Sequence, residues 1–156
     1  MTAKRDGLIR ADGSPVNAWD LGSGRVDLTK AALSGLVLDE TAANFLAANP
    51  ASAGVLATLN LAEFTSASCA TTCTFTRAVH STALVAQTYS ISISGVPVGS
   101  AVPTTTSFAI AAGDTQPFGV TIDGSAFAAG WTYGAVELTP DNPLLPTLHM
   151  KDWILD

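Results

Sequence analysis

The chain has 156 residues, enough for one hydrophobic core with an attached segment but too few for two ordinary domains. Hydrophobic residues make up 47% of it and charged residues only 13%, which excludes a disordered acidic chain and predicts a folded protein. The net charge is −6, and no Lys or Arg occurs between Arg77 and Lys151, so the cations that nucleic-acid phosphates require are missing and we expect no nucleic-acid partner.

The sequence also predicts no membrane span. No run approaches the ~18 consecutive apolar residues of a membrane helix. The first residues, MTAKRDGLIRADG, lack the apolar region of a secretory signal. A missing signal is uninformative if the chain is a piece of a longer protein, so the compartment has to be judged from other features.

The first predicted helix follows Asp27, which is a suitable N-cap residue. Leu28, Ala31 and Ala32 come after it at helical spacing, and Gly35 is a suitable residue for ending the helix. This pattern predicts a helix of about two turns.

A second short helix is predicted further along residues 1–50, which we call the opening segment. Asp39 or Thr41 is a suitable N-cap, and residues 42–46 place apolar side chains on one face. Asn49 and Pro50 would end this helix, because the residue before a proline disfavours helical backbone. The small residues at 51–54 then indicate a linker.

From Val55 onward the hydrophobic period changes from helical to two, which indicates β-strands. In the run TYSISIS, Tyr89, Ile91 and Ile93 share one face, which predicts a buried face and a wet one. Clusters of Gly, Pro, Asp and Asn separate the strands at the spacing of an all-β sandwich. The predicted strands are 57–63, 74–80, 88–94, 107–111, 118–122 and 133–138, with a further one near 147–150.

Several sequence blocks keep a common order that resembles one protein family. They are MTA at Met1, NAWDLGSGRVDLTKAALSGLVLDETAANFLAANP at 17–50, ATLNLAEF at 57–64 and CTFTRAVHS at 73–81. In this order they resemble the end of the catalytic domain of a subtilisin-like serine protease running into its fibronectin type III-like C-terminal domain. The family pattern D-x-G-x-G-x-[VI]-[DN] corresponds to 20–27, the GLVxD strand to 35–39, and the x-T-R-x-V strand to 75–79.

The resemblance implies a division of the chain. Residues 1–50 would be the C-terminal end of the catalytic domain and a linker, and residues 55–150 a fibronectin type III-like or immunoglobulin-like β-sandwich, a mainly β fold preceded by a short helical segment. The implied partner is the protease catalytic domain of the same polypeptide. The family's nucleophilic serine would lie upstream of this chain, so no catalytic residue is carried over and the chain alone should be inactive. His80 and His149 are more typical of strand-face or surface residues than of a catalytic base.

The two cysteines, Cys69 and Cys73, are close enough to form a small-loop disulfide in a turn. A metal or redox pair is the alternative, but C-x-x-x-C gives two ligands where structural zinc takes four, and it lacks redox C-x-x-C spacing. We favour the disulfide and expect no cofactor. A disulfide implies an oxidising compartment, so we expect a secreted, cell-surface or periplasmic protein.

Trp131 and Tyr133 lie two residues apart in a predicted strand and should share a face. They could form a stacking platform for a sugar or an extended peptide, or they could cover the sandwich core or an end of it. We favour the core, because no nearby residues supply the polar partners of a sugar site.

Two functions follow from these features. One is a non-catalytic accessory region that stabilises a secreted protease domain or influences substrate access. The alternative is an independent adhesion or carbohydrate- or peptide-binding module. Apolar residues before Pro50 would be partly buried against the protease domain, so without it we expect the fragment to self-associate through them. Deleting them should leave a monomeric, folded sandwich. These residues are Val26, Leu28, Leu33, Leu36, Val37 and Leu38.

Overall fold

The computed structural model describes residues 1–22, 24–128 and 130–155, and it shows two β-sheets that enclose one core. The α-helices are α1 Ala18–Leu21, α2 Leu28–Ala32 and α3 Ala42–Ala47. The strands are β1 Leu36–Leu38, β2 Glu63–Ser66, β3 Thr72–Ser81, β4 Gln87–Ser94, β5 Ala101–Pro103, β6 Ser107–Ile110, β7 Thr115–Asp123, β8 Trp131–Pro140 and β9 Leu148–Leu155.

One sheet, called sheet A, has the order β1-β3-β7-β5, and all its pairs are antiparallel. The other, sheet B, has the order β2-β9-β8-β4-β6, with one parallel pair between β2 and β9. The predicted fold class, a mainly β immunoglobulin-like sandwich preceded by short helices, is confirmed. No described helix is long and apolar enough to cross a membrane.

The core follows from alternation along the strands. Tyr89 and Ile91 are buried and the alternating Ser90, Ser92 and Ser94 are exposed, as the sequence predicts. Across the two sheets, aromatic rings meet at the centre: Phe108 stacks on Tyr89 at 5.7 Å and on Phe118 at 6.1 Å between ring centroids. Such offset ring pairs contribute roughly 0.5–1.5 kcal/mol beyond the burial of their area.

Most predicted strands are confirmed within a few residues, but the one at 57–63 is wrong. There the chain forms a 3-10 turn, Leu56–Thr58, and then a loop, and the strand begins only at Glu63. The reason is that side chains bind the main-chain groups that a ladder would use: Arg77 of β3 donates to the carbonyls of Ala57 and Leu61, and the Asn60 side chain binds the main chain of β3 at Ala78. The short strand β5 was not predicted, and β9 is longer than expected.

The opening segment contributes a strand to the sandwich. β1 pairs antiparallel with β3, with Leu36 opposite Ser81 and Leu38 opposite Val79. Leu36 is fully buried in this chain's own core cluster, so the expectation that it would be covered by the protease domain or by a second copy is wrong. The first residue is also tied to the sandwich, because the His149 main-chain N–H donates to the Met1 carbonyl at 3.0 Å.

The predicted helix caps are confirmed, and one predicted stop is wrong. Asp27 caps α2 and Thr41 caps α3. However, α2 ends with Leu33 as its C-cap, before the predicted stop at Gly35. Gly35 instead lies under the Tyr89 hydroxyl, where a Cβ atom would clash. Helix α1 was not predicted; Asn17 and Asp20 form a capping box around its first turn.

Candidate functional site

Helices α2 and α3 are well capped but bury no side chain in this chain. The Asp27 carboxylate accepts a hydrogen bond from the Lys30 main-chain N–H at 3.1 Å, and the Thr41 hydroxyl accepts one from Asn44 N–H at 3.1 Å. Helices of five and six residues are too short to be stable by themselves. In proteins such helices are normally stabilised when an apolar face packs against other residues. Here the apolar side chains of the two helices are exposed instead.

A set of large apolar side chains around these helices is exposed. We call it the exposed apolar set, and it comprises Val26 (73% exposed), Leu28 (77%), Leu33 (50%), Phe45 (50%) and Leu46 (74%). A single exposed leucine needs no explanation, but this set is concentrated in one segment of about twenty residues.

The strand between the two helices is held firmly. Leu36 is buried, the Thr82 main-chain N–H donates to the Gly35 carbonyl at 3.0 Å, and the Thr82 hydroxyl donates to the Ser34 carbonyl at 2.6 Å. The segment is therefore anchored to the sandwich by β1 while its helices present apolar side chains to the outside.

Glu40 links the start of α3 to the loop before β2. Its carboxylate accepts hydrogen bonds from the main-chain N–H groups of Asn60 at 2.6 Å and Thr41 at 2.8 Å, and from the Asn44 side chain at 2.5 Å. These bonds favour the charged form, so the pKa of Glu40 lies below its usual value; the bond from Asn60 is the largest cause.

Arg77 of β3 holds the same loop from the other side. Its guanidinium is buried and lies over the ring of Phe64 at 4.9 Å and near that of Phe75 at 5.8 Å. It donates to the main-chain carbonyls of Leu61 (2.8 Å), Ala57 (3.1 Å), Thr76 (2.7 Å) and Glu63 (2.5 Å). Burial lowers the pKa of Arg77, and the charges of Glu63 and Glu40 oppose that shift.

Two apolar grooves flank this junction between the opening segment and the sandwich. One, of about 390 Å³, lies between β1 and the loop at 60–62, with Leu36, Leu38 and Glu40 in its wall. The other, of about 460 Å³, runs beside β2 and is lined by Val55, Leu56 and Arg77 among others. Both are large enough to receive side chains of a partner protein.

The predicted disulfide is confirmed. Cys69 and Cys73 are joined, with their Cα atoms 5.8 Å apart, in the turn that leads into β3. Cys69 is buried, and its carbonyl lies directly against Gly124, where the Cβ of any other residue would clash. The disulfide loop therefore packs on the turn that follows β7.

Trp131 and Tyr133 share a face, but that face is not the core. Val136 and Leu138 of the same strand are fully buried, and the β8–β9 register runs without interruption, so alternation places Trp131 and Tyr133 on the outer face of sheet B. Both are half-buried there, so the predicted position in the core between the sheets is wrong, while their cover of an end of the sandwich stays a prediction. Glu137, which has the same parity as both aromatic residues, is the signal in the sequence that could have shown this.

The two histidines lie on strands, as the sequence predicts. His80 is in β3, with its Nδ1 3.2 Å from the Thr115 hydroxyl, and His149 is in β9 opposite Glu137. Among the described residues, no three His, Cys, Asp or Glu side chains are placed to hold a metal ion.

The roles of Arg77 and Asn60 were missed by sequence reasoning. The Asn60 side chain donates to the carbonyls of Ala78 at 2.7 Å and Asp39 at 3.0 Å and accepts from Ala78 N–H at 2.8 Å. No local sequence pattern predicts contacts between residues about twenty positions apart. For Arg77 the only signal was its place in the x-T-R-x-V block.

No family model and no curated protein matches the chain. Solved structures with a similar arrangement include a FixG-related protein from Vibrio parahaemolyticus, with 16% identity, a TM-score of 0.44, and coverage of 55% of this chain and 78% of that one. Another is the ASH/PapD-like domain 7 of human CEP192, with 12% identity, a TM-score of 0.42, and coverage of 59% and 79%. Likeness at this level carries no information about activity.

Proposed function

We propose that this chain is the non-catalytic C-terminal region of a secreted subtilisin-like serine endopeptidase. In this proposal the opening segment packs against the catalytic domain of the same polypeptide, and the sandwich stabilises that domain or influences access of substrate. The observation that carries the proposal is the exposed apolar set on two capped helices that bury nothing.

The energetics favour a protein partner for these helices. Burying a leucine or phenylalanine side chain is worth roughly 1.5–3 kcal/mol relative to leaving it exposed, and several such residues lie on this segment. The helix caps contribute only about 1 kcal/mol each. A covering surface would therefore stabilise α2 and α3 more than their own caps do.

The identity of the partner comes from the sequence blocks. The D-x-G-x-G-x-[VI]-[DN] block at 20–27 and the GLVxD block at 35–39 resemble the end of a subtilisin-like catalytic domain, and they enclose α2 and lead into β1. The exposed apolar set thus lies in the part of the chain that the resemblance assigns to the catalytic domain. The disulfide agrees with an oxidising compartment.

Parentage can be tested at the gene. The reading frame upstream of Met1 is expected to continue into a Gly-Thr-Ser type motif preceded by the family's histidine and aspartate blocks. A reading frame that starts at Met1 would contradict the proposal.

Docking can be tested with the parent's catalytic domain, expressed without this region, and the present chain added in trans. We expect the chain to raise the melting temperature of the catalytic domain and to bind it. The double variant Leu28→Asp with Leu46→Asp should abolish both effects. Leu84→Asp with Leu144→Asp, at leucines of sandwich loops that are at least as exposed, is the matched control and should change neither. If both double variants lose binding and thermal stabilisation to the same extent, the proposal is wrong.

The outer-face position of Trp131 and Tyr133 supports the second candidate function, a carbohydrate- or peptide-binding module. Soluble oligosaccharides or extended peptides should then change the tryptophan fluorescence, and Trp131→Ala should remove the response. No saturable change with such ligands would exclude this alternative.

A further inference from the structure

A third cavity, of about 440 Å³, lies where the first residues cross the outer face of sheet B. Its wall contains Lys4 and Arg5 from the start of the chain and Lys30 from α2, with Asp6 and Glu137 also present. The remaining lining residues are Ala3, Leu21 and His149. Three of the seven Lys and Arg residues of an acidic chain thus meet at one cavity.

The fold holds the cationic wall in place. Lys4 and Arg25 form an antiparallel bridge, with main-chain hydrogen bonds of 2.8 Å and 2.9 Å in the two directions. Glu137 and His149 face each other across the β8–β9 ladder, which forms the floor. The cations therefore come from two separate parts of the opening segment and are brought together over a rigid sheet.

These cations have no ion-pair partner among the described residues. The ion pair found there joins Arg10 and Asp20, at 2.6 Å, outside this cavity. Asp6 and Glu137 both lie in the cavity wall, yet neither comes within 4.0 Å of a basic nitrogen in the part of the chain that the structure describes. The positive charge is thus available to a ligand.

The positive charge of Arg5 also affects the pKa of the neighbouring Lys151. Lys151 is buried on the outer face of sheet B, and its pKa lies below the usual value, first because of burial and then because of the positive charge of Arg5; Glu63 opposes the shift.

We propose that this cavity is a binding site for a ligand that carries a phosphate or sulfate group. Lys and Arg are the side chains that recognise tetrahedral oxyanions, and Arg can bind two oxygens at once. The volume exceeds that of the anion alone and falls in the range of small-molecule pockets. The two carboxylates in the wall select against a ligand that places its charge near them.

The test is an amide NMR titration of the full chain with sodium phosphate, against sodium chloride at equal ionic strength. Saturable shifts are expected at Lys4, Arg5, Lys30 and His149 with phosphate only. Lys4→Gln or Lys30→Gln should weaken binding by about tenfold, because each removes a charge-assisted contact. Arg25→Gln removes the same charge from the same segment but outside the cavity wall, and should leave binding within about twofold of the unmodified chain.

Glu137→Gln should bind phosphate more tightly, since it removes a negative charge from the wall. Non-saturable shifts, an equal loss in Arg25→Gln, or weaker binding by Glu137→Gln would each overturn the proposal. Glucose 6-phosphate distinguishes the source of the anion: tighter binding than inorganic phosphate indicates a group carried on an organic molecule, and equal binding indicates the free anion. The result is independent of protease docking, because it is measured on the isolated chain.

Discussion

Arg77 is a buried cation whose partners are main-chain carbonyls. It is 3% exposed and serves the loop that the sequence predicted as a strand. A buried carbonyl that loses its donor costs about 1–3 kcal/mol. The guanidinium therefore stabilises the fold more by donating hydrogen bonds to these carbonyls than by its charge.

We expect Arg77→Met to lower the free energy of unfolding by about 3 kcal/mol, because several carbonyls lose their donor. Arg77→Lys should recover only part of this, since an ammonium cannot reach several carbonyls in one plane. Urea unfolding measures both. Arg25→Met, at an exposed arginine, should cost less than about 0.5 kcal/mol. Equal stability of Arg77→Met and the unmodified chain would show that the loop is held by other contacts.

The bond between Cys69 and Cys73 closes a short loop and constrains the unfolded chain only slightly. From chain entropy we expect the double variant Cys69→Ala with Cys73→Ala to lose about 2 kcal/mol and to remain folded. Thiol titration of denatured, unreduced protein made under oxidising conditions should find no free thiol. Two free thiols would show that the bond does not form in solution.

At the scale of elements, helix α3 depends on Glu40, which ties its first turn to the loop before β2. The folded-state pKa of Glu40 is depressed by hydrogen bonds to its carboxylate. Its contribution is therefore present above the pKa of the unfolded chain and is lost as pH falls through the folded-state pKa.

We expect the main-chain amide protons of Thr41 and Asn60, which bind the Glu40 carboxylate, to lose protection from hydrogen exchange as pH falls from about 5 to about 3, after correction for the intrinsic rate. Glu40→Gln should show weak protection throughout, with little dependence on pH. Asp12 and Asp20 also have lowered pKa values, owing mainly to hydrogen bonds with Ser14 and Asn17, so global stability will retain some acid sensitivity. A Glu40→Gln chain with unmodified protection would contradict the assignment.

At the scale of the whole molecule, the opening segment is both part of the sandwich and the carrier of the exposed apolar set. Without a partner domain, a second copy is the available cover, so we keep the prediction that the chain self-associates. Light scattering should show a dimer or larger species, which Leu28→Asp with Leu46→Asp makes monomeric and Leu84→Asp with Leu144→Asp does not. A monomeric unmodified chain would contradict this.

Deleting the opening segment is expected to lower the free energy of unfolding more than the sequence alone predicted. Deleting residues 1–49 removes β1 and the fully buried Leu36, which alone is worth about 1.5–3 kcal/mol. We therefore expect the remaining chain to be monomeric and measurably less stable in urea than the full chain. Equal stability would show that β1 contributes little to the sandwich.

The sequence by itself determined the local features. Alternation in TYSISIS placed Tyr89 and Ile91 in the core, Asp27 marked the start of α2, and Asp39 or Thr41 marked that of α3. The disulfide was also predictable, because its two cysteines are only four positions apart. Each of these depends on interactions between near neighbours, which a short stretch of sequence contains in full.

The tertiary structure alone decided where distant parts of the chain meet. It set β1 against β3, gave the carbonyls around Leu61 to Arg77, and gathered Lys4, Arg5 and Lys30 over β8 and β9. The strand predicted at 57–63 failed for this reason: its pattern suited a ladder, but its carbonyls accept hydrogen bonds from Arg77 and the Asn60 main-chain N–H donates to Glu40. These contacts join residues that are far apart in sequence, so the hydrophobic period of a short stretch does not predict them.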